Sequence, residues 1–308
     1  MGCQTEEDRE QPTSVGISRR AFLGCCVSAA VVVTGGTAAL VEHRDTRSPM
    51  LREVIVPVPG LTHELTVLQA TDLHGQRFGN AEGGLAALLA GRRVDAAVMT
   101  GDILDERSED KQAAYELADI LKTTTPRVFF LRGNHDPADL GDALASRGVV
   151  PLQRARPVGI SAADLKGREV ALVYGVDSAS IASASGHGSK LLVIASHTPP
   201  NRSRLAAGAA LGSGSCLFIA GHTHGGQIRI PGLGALFAPM SWKHEEGGHL
   251  GTNDITFLPD VKGLFVDGLY RHDAQWIFVS VGIGTSGFRA RFHDRSELAL
   301  LRLVPRSA

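Results

Sequence analysis

Nine short apolar runs constrain the fold of this 308-residue chain more than any other feature of its sequence. Each run is five to seven residues long and is bounded by polar or turn-forming residues. Runs of this length that are rich in Val, Ile, Leu and Phe predict buried β-strands. They occupy residues 52–58, 64–70, 94–100, 127–132, 169–175, 190–196, 216–220, 275–281 and 297–303.

Amphipathic helical patterns separate several of these runs. One pattern follows Ser108, a candidate N-cap, and its apolar residues recur every three or four positions. A shorter pattern contains Leu85, Leu88 and Leu89 and ends near Gly91. Alternation of strands with helices predicts an α/β domain in layers, with sheet inside and helices outside. The apolar face of the longer helix comprises Ala114, Leu117, Ala118 and Leu121.

Two segments interrupt this alternation, and we predict no regular structure for either. Residues 178–189 (SASIASASGHGS) are rich in Ser, Ala and Gly, a composition typical of a mobile surface loop. Residues 241–269 combine glycines with charged residues. We expect this second segment to pass over one edge of the sheet.

Composition excludes some classes of site and partner. The formal net charge is −1, which gives no electrostatic reason to expect a nucleic-acid partner. Three of the four cysteines lie in the first 26 residues, so Cys216 cannot form a disulfide within the body of the chain. We predict that it is a small apolar residue of a buried strand. Any metal ion must therefore be bound by His, Asp, Asn or Glu.

Residues 1–44 have the pattern of an export signal. Residues 18–24 read SRRAFLG, and the uncharged stretch from 21 to 41 follows the arginine pair. This pattern resembles a twin-arginine signal, which implies the twin-arginine translocase as a partner. The 21 uncharged residues are also long enough to span a bilayer, so cleavage and retention as a membrane anchor both stay open. We expect residues 45–308 to form a domain at the outer face of the membrane, in the periplasm or in the cell wall.

Five of the predicted strands end in polar residues that are able to bind metal ions. In open α/β sheets ligands bind beyond the carboxyl ends of the strands, so these side chains are expected to meet. His222 and His224 are two residues apart, and in an extended segment they point to the same side. The full set is Asp72, His74, Asp102, Asp105, Asn134, His135, Asp136, His197, His222 and His224.

The ordered series DLH, GDxxD, GNHD, H and GHTH resembles the calcineurin-like metallophosphoesterases. The stretches GHTHGGQIRIP (221–231) and VSVGIGTSGFRARF (279–292) are similar to one branch of that family. Members of this branch are exported by the twin-arginine route or tethered to a membrane, and some act on UDP-2,3-diacylglucosamine. The resemblance covers residues 52–308 and the export signal. It implies a sandwich of two packed mixed β-sheets flanked by helices.

The resemblance also implies a dinuclear metal centre of Mn, Fe or Zn, metals that suit a site of nitrogen and oxygen ligands. Such a pair of ions lowers the pKa of a bound water and stabilises the charge of the transition state. Asp102 would bridge the two ions, because a carboxylate can bridge where an imidazole cannot. The other ligands would be Asp72, His74 and His224 for one ion, and Asn134, His197 and His222 for the other.

The remaining polar residues receive roles around this centre. His135 would contact the substrate phosphate and donate a proton to the leaving oxygen. For Asp136 two roles stay open, orientation of His135 and capping of the following helix. Asp105 is either a hydrogen-bond partner of a metal ligand or an acid at a helix entry. Arg289 and Arg291 are candidate substrate-binding residues.

The leading hypothesis is an exported phosphoesterase that hydrolyses a phosphodiester or pyrophosphate, with a lipid-linked envelope compound such as UDP-2,3-diacylglucosamine as a candidate substrate. A phosphomonoesterase or a nuclease on the same site is the enzymatic alternative, and the balanced charge disfavours the nuclease. A metal-binding envelope protein without turnover is the alternative from another class. The presence of every ligand position and of His135 favours an enzyme.

Overall fold

The computed structural model describes residues 47–78, 84–161, 163–164, 166–184, 186–211, 215–239, 255–257, 259, 264–286 and 290–306. The predicted export signal, residues 1–44, lies outside these ranges and stays a prediction. Within the described ranges no helix is both long and apolar enough to cross a bilayer.

The described residues form sixteen strands, five α-helices and one 3-10 turn at His224–Gly226. The helices are α1 (Leu85–Leu89), α2 (Gln112–Lys122), α3 (Leu140–Ala145), α4 (Ser178–Ala182) and α5 (Arg202–Ala209). The strands are β1 (Met50–Pro59), β2 (Leu65–Ala70), β3 (Ala96–Met99), β4 (Val128–Phe130), β5 (Val150–Pro151), β6 (Val158–Gly159), β7 (Val170–Tyr174), β8 (Leu191–Ala195), β9 (Ser215–Ala220), β10 (Arg229–Ile230), β11 (Gly234–Ala235), β12 (Phe237–Pro239), β13 (Ile255–Phe257), β14 (Gly268–His272), β15 (Gln275–Val279) and β16 (Glu297–Arg306).

Two six-stranded sheets, both mixed, contain most of these strands. The first sheet has the order β1-β16-β2-β3-β4-β5, in which β16 and β2 are antiparallel and the other neighbours are parallel. The second has the order β14-β15-β9-β8-β7-β6, with an antiparallel pair at each edge and parallel pairs between them. Two short antiparallel pairs, β10–β11 and β12–β13, accompany them.

Three apolar clusters hold these layers together. Successive residues of a strand face opposite sides of the sheet, so a strand that is covered on both faces is apolar throughout. In β2, for example, Val67 packs between the two sheets while Leu68 packs against the helices outside the first sheet. The first apolar cluster fills the space between the two sheets. The second apolar cluster joins the first sheet to α1, α2 and α3, and the third joins the second sheet to α4 and α5. The fold is therefore an α/β sandwich of two mixed sheets flanked by helices, as predicted.

All nine predicted strands are present, as β1, β2, β3, β4, β7, β8, β9, β15 and β16. Cys216 is buried in β9, and burial raises the pKa of its thiol to about 11, which confirms its role as an apolar residue. The short strands were not predicted, since runs of two or three residues carry no period of their own. The five-residue strand β14 was also not predicted, and it begins inside the segment that was predicted to be irregular.

The predicted start of the longer helix was wrong. Helix α2 begins at Gln112, and Ser108 instead donates its backbone N–H to the Asp105 carbonyl in a turn. The Asp110 carboxylate accepts from the Gln112 N–H at 2.8 Å, so an acid two residues before the helix satisfies its first turn. The predicted apolar face, including Leu117 and Leu121, is buried.

The prediction of irregular structure at residues 178–189 was also wrong in its first half. Ser178–Ala182 forms α4, because the Asp177 side chain accepts from the Ser180 N–H and the Ser180 hydroxyl accepts from the Asp177 N–H. This capping box outweighs the weak helix propensity of the sequence, and it places Ile181 fully inside the third apolar cluster. Most of the other segment that was predicted to be irregular, 241–269, lies outside the described residues. Strand β13 and the first two residues of β14 lie within it, so the prediction was wrong there.

The carboxyl ends of β2, β3, β4, β8 and β9 meet at one edge of the sandwich. Gln69, on β2, is fully buried and connects the two sheets there. Its amide donates to the Thr100 hydroxyl at 2.9 Å and to the Ala220 carbonyl, at the end of β9, at 3.0 Å. The polar residues that follow these five strands are thus brought to one place.

Candidate metal centre

The loops after these strands hold their polar residues in an uncommon backbone conformation. Asp72, His74, Asp102, His222 and His224 all have positive φ, between +48° and +72°. For residues with a Cβ this region costs on the order of 1 kcal/mol or more each. Strain of this kind persists where the surrounding structure over-determines it, which is common at functional sites.

Asp72, His74 and His224 form a first cluster of buried side chains, and one ligand atom from each lies within 4.8 Å of the others. The Nε2 atoms of the two histidines are 3.2 Å apart. The Nε2 of His224 is 3.6 Å from the Asp72 Oδ1. The Asp72 carboxylate also accepts from the Thr71 hydroxyl at 2.8 Å.

Asp102, His197 and His222 form a second cluster of the same size. The Nε2 of His197 is 3.0 Å from the Asp102 Oδ2 and 3.1 Å from the His222 Nδ1. Its Nδ1 lies 2.9 Å from the Thr100 carbonyl oxygen, which fixes the ring. Thr100 was not singled out from the sequence, although it directly precedes the GD motif.

Asp102 lies between the two clusters. Its Oδ2 is 3.0 Å from the His197 Nε2 of the second cluster and 3.8 Å from the His74 Nε2 of the first. Its other oxygen accepts from the His135 N–H at 2.8 Å. The carboxylate therefore faces both clusters at once, as a bridging ligand must.

Electrostatics favour the neutral ligand form of His222 and His224 but the charged form of His197. Burial opposes protonation of His197, but the charge and hydrogen bond of Asp102 outweigh burial and raise the pKa of His197 to about 10. Burial, followed by the charge of His197, lowers the pKa of His222 to about 3, and burial with the charge of His74 lowers the pKa of His224. Burial opposes ionisation of Asp102, but the charge and hydrogen bond of His197 hold its pKa below the usual range. At neutral pH His222 and His224 thus present lone pairs beside a carboxylate.

Two buried ring nitrogens, the His222 Nε2 and the His224 Nδ1, have no hydrogen-bond partner among the described residues. Two pairs of imidazole nitrogens also face each other at hydrogen-bond distance. Convergent nitrogens with an anionic carboxylate between them are stabilised by a cation. The residues present therefore fit two divalent metal ions.

Asp105 proves to be a hydrogen-bond partner of a ligand. Its Oδ1 lies 2.7 Å from the Nδ1 of His74. This contact leaves the Nε2 of His74 to face the first cluster, in the arrangement common to metal-bound histidines. Of the two roles that the sequence left open for Asp105, this contact supports the hydrogen-bond partner of a ligand over the acid at a helix entry.

We expect Asp105→Asn to weaken Mn²⁺ binding by about 10- to 100-fold, because an outer partner orients the ligand and raises its basicity. Titration calorimetry of the purified chain measures this. Glu106→Gln removes a charge from the next, exposed position and serves as the control. Equal affinities for the Asn variant and the native chain would contradict the assignment.

Glycines allow the ligand loops to approach one another. A Cβ on Gly221 would overlap the Asp72 carboxylate and the Thr71 side chain. A Cβ on Gly133 would overlap the side chain and backbone of Asp102. Since both ligands are buried and cannot move away, these two positions require glycine.

The GNHD loop places its residues in different environments. His135 is half-buried, and its ring centre lies 5.4 Å from that of His74 at the edge of the first cluster. Asn134 is exposed, unlike the six other candidate ligands, which are all buried. Both residues thus lie at the side of the site that faces solvent.

Neither role considered for Asp136 describes its contacts. Its Oδ1 accepts from the N–H groups of Ile103 and Leu104 at 2.7 and 2.9 Å, and its Oδ2 accepts from Gly133 at 2.9 Å. The following helix, α3, has Asp139 at its N-cap position. Asp136 therefore joins the loops after β3 and β4, and the capping prediction was wrong.

The prediction that Arg291 binds substrate was wrong. Its side chain is fully buried and donates to the carbonyls of Val281, Gly284 and His224. It also forms an ion pair with Asp294 at 2.8 Å. A guanidinium with these internal acceptors is not available to a ligand. Arg289, the other candidate, lies outside the described residues.

Comparison with known proteins agrees with this geometry. Residues 65–226, a little over half of the chain, match the family model described as calcineurin-like phosphoesterase. That range includes all seven candidate metal ligands. Over 280 residues the chain is 24% identical to an uncharacterized metallophosphoesterase of Helicobacter pylori (strain J99). The alignment covers 84% of this chain and 65% of the relative, so the chain spans slightly less than two thirds of that protein.

Proposed function

This chain belongs to the calcineurin-like phosphoesterase family, and from that premise we propose that it is a dinuclear-metal hydrolase of a phosphodiester or pyrophosphate. One observation carries the proposal: two Asp/His clusters share the carboxylate of Asp102, which faces a histidine of each. A site for one structural ion would need neither the second cluster nor a carboxylate placed between them.

Two divalent ions would supply an activated water and a positive charge opposite the phosphate oxygens. One would be held by Asp72, His74, His224 and Asp102, and the other by Asn134, His197, His222 and Asp102. The hydrogen bonds to Asp105 and Thr100 keep the His74 and His197 rings in place. The buried loops bring the reacting groups together before substrate arrives, which lowers the cost of reorganisation.

His135 is proposed as the acid that protonates the leaving oxygen. Its ring lies at the solvent-facing side of the site, beside His74, where a bound phosphoester would present its leaving group. Its backbone N–H donates to Asp102, so the position of the ring is tied to the proposed bridging ligand. An imidazole can both donate and accept a proton near neutral pH, which suits this role.

The proposal extends to an envelope substrate. The SRRAFLG stretch and the uncharged segment after it support export by the twin-arginine route and contact with the membrane. A phosphoester that is linked to a lipid, such as UDP-2,3-diacylglucosamine, would then be accessible to the domain.

The test is hydrolysis of a panel of phosphoesters by the purified 308-residue chain with Mn²⁺. The panel contains an aryl phosphomonoester, an aryl phosphodiester, a pyrophosphate and UDP-2,3-diacylglucosamine. We expect turnover of the diester or the pyrophosphate, loss of activity with a chelator, and its return with Mn²⁺. His135→Ala should lower kcat by about 10²- to 10⁴-fold while Mn²⁺ still binds, since general acid catalysis contributes that much.

His63, an exposed histidine in the turn between β1 and β2, provides a matched control for removal of an imidazole. His63→Ala should keep full activity. Bound Mn²⁺ without turnover on any member of the panel would contradict the hydrolase and favour a binding protein. Preference for the monoester would replace the proposed reaction with a phosphomonoesterase.

A further inference from the structure

Two arginines that are distant in sequence are buried beside the metal-binding loops. The side chain of Arg291 is 0% exposed, and the residue Arg204, in α5, is 4% exposed. Burial of a guanidinium is costly unless its N–H groups find acceptors. The acceptors described for Arg204 lie in the loop that carries His197. Those of Arg291 include the carbonyl of His224 and carbonyls of the loop after β15, which is hydrogen-bonded to Asp72.

Arg291 fixes the backbone of the first cluster. Its Nη1 donates to the His224 carbonyl at 3.1 Å, and its Nη2 donates to the Gly284 carbonyl at 2.6 Å. The N–H of Gly284 in turn donates to the Asp72 carbonyl at 2.7 Å. Arg291 thus connects the loops of two ligands that are 152 positions apart in sequence, Asp72 and His224.

Arg204 fixes the backbone on both sides of His197, in the second cluster. Its Nη1 donates to the Ser196 hydroxyl at 3.1 Å and to the Thr198 carbonyl at 3.3 Å. Its Nη2 donates to the Thr198 hydroxyl at 3.2 Å and to the Pro199 carbonyl. The planar fork of Arg can satisfy several such acceptors at once, which the ammonium of Lys cannot do in the same geometry.

We propose that Arg291 and Arg204 are positioning residues that act on different metal sites, Arg291 on the first and Arg204 on the second. The hydrogen bonds described for Arg291 reach the backbone of the first-cluster ligand His224 and, through Gly284, that of Asp72. Those described for Arg204 lie on both sides of the second-cluster ligand His197, so each arginine acts mainly on the affinity of one ion. This inference rests on the dinuclear centre of the proposed function, but not on turnover. The outer partners of metal ligands typically change metal affinity by about 10- to 100-fold.

The test measures Mn²⁺ binding to the full chain by titration calorimetry, with electron paramagnetic resonance of the bound Mn²⁺. Arg291→Met and Arg204→Met should each leave one ion bound normally and weaken the other by about 10- to 100-fold. At a Mn²⁺ concentration between the dissociation constants of the two sites, the native chain should give the spectrum of a coupled pair of ions. Each Met variant should give the spectrum of an isolated ion.

Ligand-deletion backgrounds identify which site each arginine controls. Arg291→Met should cause no further loss in a His224→Ala chain, whose first site is already impaired, but should remove the remaining ion from a His197→Ala chain. Arg204→Met should give the opposite pattern. This double-mutant logic separates an action on one site from a general loss of stability.

Arg302→Met, at a solvent-accessible arginine paired with Glu64, is the control and should bind two ions as the native chain does. Circular dichroism verifies that each variant is folded, and Arg291→Lys and Arg204→Lys replace any Met variant that is not. A native chain that binds fewer than two ions would overturn both this inference and the dinuclear centre. Equal weakening of both ions by either arginine variant would overturn the inference alone. Selective weakening in a chain without turnover would contradict only the proposed hydrolysis.

Discussion

Asp102→Ala should lower kcat/KM for an aryl phosphodiester by about 10⁴-fold or more, the largest effect on activity that we expect from one substitution. This carboxylate lies 3.0 Å from the His197 Nε2 and 3.8 Å from the His74 Nε2. Its removal would withdraw a ligand from both ions, and a 10⁴-fold loss corresponds to about 5 kcal/mol of transition-state stabilisation. Steady-state kinetics at saturating Mn²⁺ measure the loss.

Asp142→Ala, at an exposed aspartate of α3, is the control and should leave kcat/KM unchanged. The Asp102 variant should also bind fewer than two Mn²⁺ ions. Activity within tenfold of the native chain would show that Asp102 is not the bridge. The proposed arrangement of the two sites would then be wrong.

Asp136→Ala should lower the free energy of unfolding by about 4 kcal/mol, the largest effect on stability that we expect. The carboxylate accepts from three backbone N–H groups, those of Ile103, Leu104 and Gly133. Each buried group left without a partner costs about 1–3 kcal/mol. Urea denaturation of the metal-free chain, followed by circular dichroism, measures the change.

Asp136→Asn distinguishes this structural role from a catalytic one. Its remaining carbonyl oxygen can still accept from Ile103 and Leu104, whereas its amide group would face the Gly133 N–H, which is also a donor. The Asn variant should therefore lose less stability than the Ala variant. An Asn variant as stable as the native chain, but with little activity, would instead support a role for Asp136 in the orientation of His135.

The sequence was sufficient to predict the strands and the edge of the sandwich at which the polar residues meet. Strands such as β7 and β8 are continuous apolar runs because they are covered on both faces, and this pattern can be recognised without a structure. The histidines and aspartates of the site can be recognised in the sequence for a related reason. They directly follow those runs, and the carboxyl ends of parallel strands meet at one edge.

The residues that support the site could not be assigned in the same way. An arginine near a glycine-rich loop, such as Arg291, has the same sequence signal whether it binds a ligand or is buried under that loop. Its role depends on the carbonyls of His224, Val281 and Gly284, which face inward only in the folded chain. The same holds for Asp136, whose partners in the loop after β3 lie more than thirty positions away.

Strand β16 pairs with β1 on one side, from Met50 opposite Glu297 to Pro59 opposite Arg306, and with β2 on the other. The ribosome must therefore synthesise residues 297–306 before the first sheet can be completed, although β1 and β2 are made much earlier. Pairing across such a long sequence separation is slow, and the unpaired edges of β1 and β2 stay accessible meanwhile. Chaperones that bind nascent chains would thus have time to act before this sheet closes.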